Sequence, residues 1–542
     1  MRITIPTLRR LGLMGLLSLA FVAAAAAPSA AADPAVPSIE WQSCGSDYPN
    51  AECATVEVPL DYDQPSRATT PLALARVPAT DATHRIGTVF VNPGGPGGSG
   101  VGMVLNGFGE ELRASLGGRF DVVGFDPRGV GASDPLHCFD SEDDLFAFLS
   151  AAPVFPYERA QYQPFYNHYA SLGGRCLSRG EKIAAHMSTA DVARDLDLLR
   201  QAVGDSRLTY LGFSYGSYIG TTYANLFSDK IRALVVDGVL DPRLWSSGWQ
   251  IRSDRVDTQE EFREFLRLCR EAGPACAFGA GRYTAKRWEA LARSVERKPI
   301  DLGDGFLYTY DFLITDATGA MYSPEVWGGP DGYAVFLDLV ADAALGDQSA
   351  KGLARAARRR LLRLVEAIRE ADYPNGFDAY FGNHCADTQY PGSFAGFRII
   401  DAYARAGSRF GPYWWWFNNG CADWPVAEDR YVGPWETQTS NPVLVVGNYF
   451  DGVTGYNGAR AVNRQLANSR LLSYAGWGHT AYGRSDCTTA HVDAYLVDGT
   501  LPRAGTVCRA NPNPFLSVPA ALAAQSDLVA GAPPDWLLRP EP

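Results

Sequence analysis

The side chains in this sequence best suited to breaking a covalent bond are a serine, an aspartate and a histidine, each following a stretch that reads as a buried strand. Ser214 sits in Leu211-Gly212-Phe213-Ser214-Tyr215-Gly216. This is G-x-S-x-G, a strand-to-helix elbow that lifts a serine hydroxyl above the edge of a sheet. Gly212 and Gly216 flank the serine because so tight a turn leaves no room for a Cβ between strand and helix. The pattern alone is weak, and an ordinary βα turn with serine as filler is the alternative. The apolar run 208–213 before it and the helix-compatible run 217–227 after it favour the elbow.

A serine hydroxyl is a poor nucleophile at neutral pH and needs a base, which in this elbow type comes later in the chain, after an acid. Of the seven histidines, His384, His479 and His491 follow Ser214. His384 adjoins Cys385 inside a helical stretch and His491 lies in a helix-like segment, so both are expected to be structural. His479, in Gly476-Trp477-Gly478-His479-Thr480 after the apolar run 471–474, lies where a loop can carry an imidazole over the serine. Asp451 follows the strand-like run 443–446 and precedes His479 by enough chain for one helix and one strand. Its task would be to hold the imidazole tautomer and stabilise the cation formed when the serine proton moves. Asp237, at the end of the run 233–236, is the rival acid and Asp387 a weaker one; an aspartate at a strand end is often only a turn former.

Acyl cleavage also needs donors for an oxyanion. Residues 92–100 (NPGGPGGSG) follow the apolar run 86–91 and can present backbone N–H groups at a strand's carboxyl end. Gly95, fixed to within one residue, and Tyr215 are the expected donors. Neither G-x-x-x-x-G-K nor a helix-opening G-x-G-x-x-G is present, so the loop does not read as a phosphate cradle.

The elements that must hold these groups follow from periodicity. Apolar runs at 86–91, 120–125, 208–213, 233–236 and 443–446 alternate with helical patterns. In one of these, 189–203, apolar residues fall at 192, 196, 199 and 203 behind Ser188 as N-cap. Such alternation predicts an α/β chain, a mostly parallel sheet covered by helices. Between about 244 and 436 the pattern changes to one rich in Arg, Ala, Leu and aromatic residues, with helical stretches at 260–270 and 353–370. The expected organisation is a signal peptide over 1–32, a sheet-bearing core over 33–243 and 437–542, and a mainly helical cap over 244–436. Arg355, Arg358, Arg359, Arg360 and Arg363 read as a solvated helix face. The run Tyr413-Trp414-Trp415-Trp416-Phe417 reads as cap core, with the wall of an apolar site as the alternative.

The 542 residues are 46% apolar and 20% charged, a globular composition that excludes disorder and coiled coil. Sixty acidic against 48 basic residues give a net charge of −12, which would repel a polyphosphate backbone, so nucleic acid is excluded as a partner. Arg9 and Arg10 precede the apolar run 11–27, and Ala30-Ala31-Ala32 offers a small-residue cleavage site. The run is shorter than the roughly 20 residues of a membrane span, so export and release are expected, with no membrane attachment afterwards; the match to a twin-arginine signal is weak. Ten cysteines without a C-x-x-C pair fit disulfides in an oxidising compartment rather than zinc. Sequential pairing is expected, because each neighbouring couple closes a local loop. The chemistry requires neither metal nor organic cofactor.

Taken together, residues 92–100 (NPGGPGGSG), 126–133 (DPRGVGAS), 212–220 (GFSYGSYIG), the Asp451 turn and Gly478-His479-Thr480 resemble the exported tripeptidyl aminopeptidases, relatives of the prolyl aminopeptidases. Residues 53–61 (CATVEVPLD), the Cys269 and Cys276 segment and Cys385-Ala386-Asp387 extend the likeness over nearly the whole mature chain. The resemblance implies an α/β-hydrolase fold, helices on both faces of a mostly parallel sheet, and Ser214, Asp451 and His479 as a catalytic triad. It also implies a secreted serine exopeptidase that releases short peptides from free N-termini through an acyl-serine. One departure is Gly452, which stands where the family usually has proline after the acid. An enzyme that measures from the N-terminus needs a carboxylate to pair with the terminal ammonium at a fixed distance from the serine. Glu260, Glu261 and Asp387 are the candidates. A carboxylesterase or prolyl aminopeptidase on the same machinery is the alternative function, and a catalytically dead binding protein the alternative class.

Overall fold

The apolar runs become strands buried on both faces, and their order in the sheet fixes where the chemistry can occur. A computed structural model describes residues 34–516 apart from 180–181, 280–282, 304, 367–374, 425–426 and 428. The expected signal peptide, 1–32, lies outside the described residues. The strands are β1 (Gln42–Ser43), β2 (Glu52–Pro59), β3 (Thr69–Val77), β4 (Gly87–Asn92), β5 (Phe120–Phe125), β6 (Leu208–Phe213), β7 (Ile231–Asp237), β8 (Ile300–Asp301), β9 (Leu307–Tyr308), β10 (Val443–Phe450), β11 (Ser469–Trp477) and β12 (Val507–Cys508). Ten of them form one sheet in the order β1-β2-β3-β5-β4-β6-β7-β10-β11-β12. From β5 to β12 neighbouring strands run parallel, while β1, β2 and β3 form an antiparallel edge. The chain leaves β4 toward β5 on one side, and β6 lies on the other. That reversal opens a crevice at the carboxyl ends of β4 and β6, the place where open α/β sheets bind ligands. The Gly-rich loop and Ser214 both emerge there.

Helices cover the sheet as the periodicity predicts. The helix Thr189–Ala202 is capped by Ser188, whose hydroxyl accepts the N–H of Asp191, and the helix Tyr215–Leu226 leaves the elbow. Apolar clusters lie on the two faces of the sheet: Leu196, Tyr210 and Val445 belong to one, Val89, Leu211 and Leu444 to the other.

A third cluster lies in the helices between β7 and β10, where β8 and β9 pair only with each other. It also draws in a second excursion, the helices Glu142–Ser150, Tyr162–Ala170 and Leu172–Arg179 between β5 and β6. Phe165 meets Trp416 edge-on with ring centroids 5.7 Å apart. The helical layer is therefore built from two stretches of chain. Trp415 and Trp416 are wholly buried core, and their indole N–H groups donate to Phe397 O and Asp401. Arg358 is not solvated: it is buried, bonded to Asp316 at 2.9 Å and stacked over Phe312, because the inner face of the helix Gln348–Glu366 includes it. Arg360 lies on the outer face and pairs with Asp331.

All ten cysteines are paired, and in chain order: 44 with 53, 138 with 176, 269 with 276, 385 with 421 and 487 with 508.

Arg128, in the loop after β5, is fully buried and donates to Asp195 at 2.6 and 2.8 Å and to the carbonyls of Pro59 and Leu60 at 2.9 and 2.8 Å. It ties the antiparallel edge to the helix Thr189–Ala202. Replacing one partner of a buried pair leaves the other charge uncompensated, so Arg128→Leu is expected to cost about 3–5 kcal/mol. Equilibrium denaturation of variant and parent measures this; a loss within the roughly 1 kcal/mol of a surface pair would contradict it.

Candidate active site

Ser214 occupies the elbow between β6 and the helix Tyr215–Leu226 with φ 55° and ψ −122°, a backbone region that side chains rarely tolerate. The turn is closed by Ser214 N–H donating to Asp237 O at 2.9 Å and Ser217 N–H donating to Ser214 O at 2.8 Å. A Cβ at Gly216 would lie 2.7 Å from Asn92 O, and one at Gly212 would overlap Gly216 O, which explains both flanking glycines. The loop 92–100 runs directly against the elbow, since a Cβ at Gly94 would lie 2.8 Å from Tyr215 N. Gly94 N–H is already bonded to Asn92 Oδ1 at 2.9 Å. Tyr215, as the first residue of its helix, has an N–H without an intrahelical acceptor.

The acid and the base emerge side by side. In the parallel pair β10 and β11, Phe450 lies opposite Trp477, so Asp451 and His479 follow from matched strand ends. His479 Nδ1 lies 3.0 Å from Asp451 Oδ2 and both side chains are buried. Asp451 also accepts the N–H groups of Val453 and Thr454 at 3.0 and 2.8 Å and the Thr454 hydroxyl at 3.0 Å. Burial pushes its pKa up, but the facing His479 and these donors outweigh burial and hold it below the ordinary carboxylate value. The other imidazole nitrogen, Nε2, is buried with no hydrogen-bond partner among the described residues. The ring lies against Gly238, whose Cβ would be 3.0 Å from His479 Cε1, and the preceding residue, Asp237, accepts the Ser214 N–H. Serine and imidazole thus share the turn at 237–238. Nδ1 is engaged by the carboxylate, which leaves Nε2 as the ring nitrogen free to act as an acid or base.

Asp237, the rival acid, has another task. Its carboxylate accepts the N–H groups of Ala481 and Tyr482 at 3.0 and 2.8 Å, anchoring the loop after His479, and burial raises its pKa to about 6. Thr454 was not singled out by sequence; its hydroxyl lies 3.2 Å from His479 Nδ1 as well as on Asp451. A Thr three residues after the acid, within the same turn, was the available signal.

Of the three carboxylates expected to meet a terminal ammonium, Glu261 and Asp387 are buried and already hydrogen-bonded, and Glu260 is exposed. Glu260 lies on the exposed side of the helix Ile251–Ala272, turned away from the buried face that carries Glu261. Glu261 is wholly buried and its two oxygens accept Gly452 N–H and Gly478 N–H, each at 2.7 Å. Asp387 is buried against Thr189, accepting its N–H at 2.8 Å and its hydroxyl, and burial raises its pKa to about 7. The same Thr189 hydroxyl contacts the Tyr215 phenol.

The helix Ile251–Ala272 carries a fourth acid that sequence reasoning passed over. Asp254 is 5% exposed, accepts the Gln250 amide at 2.9 Å, and has no Lys, Arg or His within ion-pair distance among the described residues. Burial raises its pKa well above the usual value, and its charge acts on the phenols of Tyr322, Tyr380 and Tyr390. Tyr322 meets the His479 ring edge-on at 5.5 Å, and Tyr380 N would lie 2.9 Å from a Cβ at Gly97. Asp254 therefore lies close enough to Tyr322 and Tyr380, which adjoin His479 and the Gly-rich loop, for its charge to act on them. The signal was acids at 254, 257, 261 and 264, a spacing that puts carboxylates on the buried face of a helix.

Family models described as "alpha/beta hydrolase fold" and "TAP-like protein" match residues 87–267 and 406–508. The chain is 32% identical over 500 residues to "Serine protease Hip1" of Mycobacterium bovis, covering 87% of this chain and 91% of that one. It is 30% identical over 491 residues to "Tripeptidyl aminopeptidase" of Streptomyces lividans, covering 88% and 87%. The chain belongs to the tripeptidyl aminopeptidase family of α/β-hydrolases. Within that family it is also 33% identical over 491 residues to "Carboxylesterase B" of Mycobacterium tuberculosis, covering 87% and 90%. The fold and the class, a serine hydrolase, agree with the sequence analysis.

Several acids near or above the crevice have raised pKa values, with Asp257 and Asp387 both at about 7 because of burial. Between the ordinary value of 3.8 and about 7 the folded chain keeps protons that the unfolded chain has released. Stability must therefore fall as pH rises through that window. The thermal midpoint is expected to drop from about pH 5 to about pH 8, and Asp257→Asn and Asp387→Asn should each flatten part of the drop. A flat profile that neither variant alters would contradict these assignments.

Proposed function

We propose that the protein is an exported serine exopeptidase that releases tripeptides from free peptide N-termini, with Ser214 as nucleophile, His479 as general base and then acid, and Asp451 as the orienting carboxylate. The observation that carries this reading is the buried His479–Asp451 pair, whose Nε2 is unpartnered among the described residues and whose imidazole ring packs against the 237–238 turn that also binds the strained Ser214 elbow. His479 removes the hydroxyl proton as Ser214 Oγ attacks the scissile carbonyl, and Asp451 stabilises the imidazolium. Gly95 and Tyr215 N–H groups receive the oxyanion; the use of Gly94 N–H on Asn92 favours Gly95 as the loop donor. His479 then gives the proton to the leaving amine, and water repeats the sequence on the acyl-serine to free the product. These steps use the three side chains, the two backbone N–H donors and water.

Asp254 supports recognition of a free N-terminus. A nearly buried carboxylate with no cationic neighbour among the described residues gains an ion pair when a terminal ammonium enters, and an acylated terminus offers none. The Streptomyces relative's name supports a three-residue step. The core is assigned to 33–243 and 437–542 and the cap to 244–436. Export is supported by the five disulfides and the leader, and no helix among the described residues is long and apolar enough to cross a membrane. The second reading, a carboxylesterase on the same machinery, is favoured by the relative named for that activity.

Turnover of a free tripeptide anilide and of its N-acetylated form separates the two readings. Ser214→Ala is expected to lower kcat by about 10⁴-fold or more with the fold intact. Asp254→Asn should lower kcat/KM for the free substrate about 10- to 100-fold, the worth of a hydrogen bond to a charged group, and leave the acetylated one unchanged. Indifference to acetylation removes the aminopeptidase reading. Product masses from a longer peptide report the step size.

A further inference from the structure

We propose that Glu261 is a positioning residue for this hydrolysis: from the cap helix its carboxylate clamps the Asp451 turn to the His479 loop and sets the angle at which the imidazole meets Ser214. The inference rests on the proposed roles of Ser214, Asp451 and His479. Glu261 Oε2 accepts the N–H of Gly452, the residue after the acid, and Oε1 accepts the N–H of Gly478, the residue before the base, both at 2.7 Å. One side chain thus spans the two loops at the positions adjoining the functional pair. It is wholly buried, so no water substitutes for either bond.

Neighbouring contacts align the same helix face with the same loops. Thr258 Oγ1 donates to Gly452 O, and Trp477 Nε1 donates to Glu264 at 3.1 Å. Gly478 N–H also lies within reach of Phe450 O at 2.9 Å, at the end of the strand that leads to Asp451. From the other side, His479 N–H is held by Tyr322 O at 2.9 Å.

Gly452 is fitted to this clamp. A Cβ there would overlap Glu261 Oε2, and a proline would supply no N–H to it. The departure from the family pattern noted in the sequence therefore has a partner in space. The Asp451–His479 pair is held correctly only when the cap helix is docked, so the cap acts on the chemistry as well as on access to it.

Displacing a reacting group by about 1 Å costs on the order of 100-fold in rate, which sets the scale of the test. The rate of active-site labelling by a fluorophosphonate needs an activated serine but no peptide recognition. Mapping the label first tests the roles assumed: a label away from Ser214 removes them, whatever Glu261 does. With the label on Ser214, Glu261→Gln and Glu261→Ala are expected to slow labelling and kcat together by about 10- to 100-fold, with KM within about twofold. Gly452→Ala, which keeps the N–H but crowds Oε2, should do the same more weakly. Combined with Glu261→Ala it should add nothing, because both changes act through one contact. Labelling rates within twofold of the parent, a rise in KM alone, or multiplicative losses in the double variant would overturn the proposal. If the Glu261 variants do not fold, Gly452→Ala decides it alone: unchanged labelling and kcat overturn it.

Discussion

Asp451 is withdrawn from water, and an ionised carboxylate in such a place is stable only if donors replace the solvent it has lost. Here they are the N–H groups of Val453 and Thr454, the Thr454 hydroxyl and the His479 imidazole. Most of the local architecture follows from that requirement. The turn after β10 must fold back on the carboxylate to deliver two backbone donors. The loop after β11 must come from the adjacent strand in parallel register to deliver the ring. Asp237, at the end of the next strand, must pin that loop through Ala481 and Tyr482. Three neighbouring strand ends are thus committed to one charge, and Ser214 at the end of the fourth receives the benefit.

No disulfide ties the helices between β7 and β10 to this apparatus. Three disulfides lie within the helical layers, joining 138 to 176, 269 to 276 and 385 to 421, and the other two staple the sheet region. Each closes a short or moderate loop and restricts the unfolded chain within one layer. Buried polar bonds join these helices to the sheet region, Glu261 to Gly452 and Gly478, Asp387 to Thr189, and Asn375 to Gly131 N–H at 3.0 Å, beside apolar contacts of Trp245 and Trp435 with Tyr218. Buried hydrogen bonds of this kind are costly to leave unmade, so the cap has a strongly preferred seat. The disulfides secure each layer, and directional bonds contribute to their relative orientation.

Sequence made the centre of the sheet legible because those strands are apolar on both faces and end in recognisable turns. β5 and β6 fall where the apolar runs predict, and the interval from Asp451 to His479 holds one helix and one strand as its length suggests. The antiparallel edge was not legible: in β2 and β3 prolines and threonines interrupt the apolar run, and their pairing depends on partners far away in the chain. The helices Glu142–Ser150, Tyr162–Ala170 and Leu172–Arg179 were missed for a similar reason, since their apolar faces make sense only against Trp416 and its neighbours. Arg358 was misjudged because a guanidinium buried on Asp316 has the same sequence signature as a solvated one. Glu261 was a candidate for a substrate ammonium, and the structure places its oxygens on Gly452 and Gly478 N–H. Its partners are backbone amides, which carry no residue identity, so only coordinates reveal them.

The remaining acids explain why the negative charge resides on Asp451. Burial, with a smaller contribution from the Asp451 charge, raises Asp237 to about 6 and Asp257 to about 7, and burial raises Glu261 well above its usual value. Asp451 alone among them faces an imidazole, and it is the one whose pKa is lowered. Carboxylates crowded into a dry region cannot all ionise, and the group with a cationic partner takes the charge. Glu261 and Asp237 act as hydrogen-bonding struts for the loops around Asp451. The same logic extends to Asp254 in the proposed reading. With no cation beside it among the described residues, its ionisation is penalised by burial until a substrate ammonium arrives. Selectivity for a charged N-terminus then comes from the energy cost of the bare carboxylate rather than from the shape of the pocket.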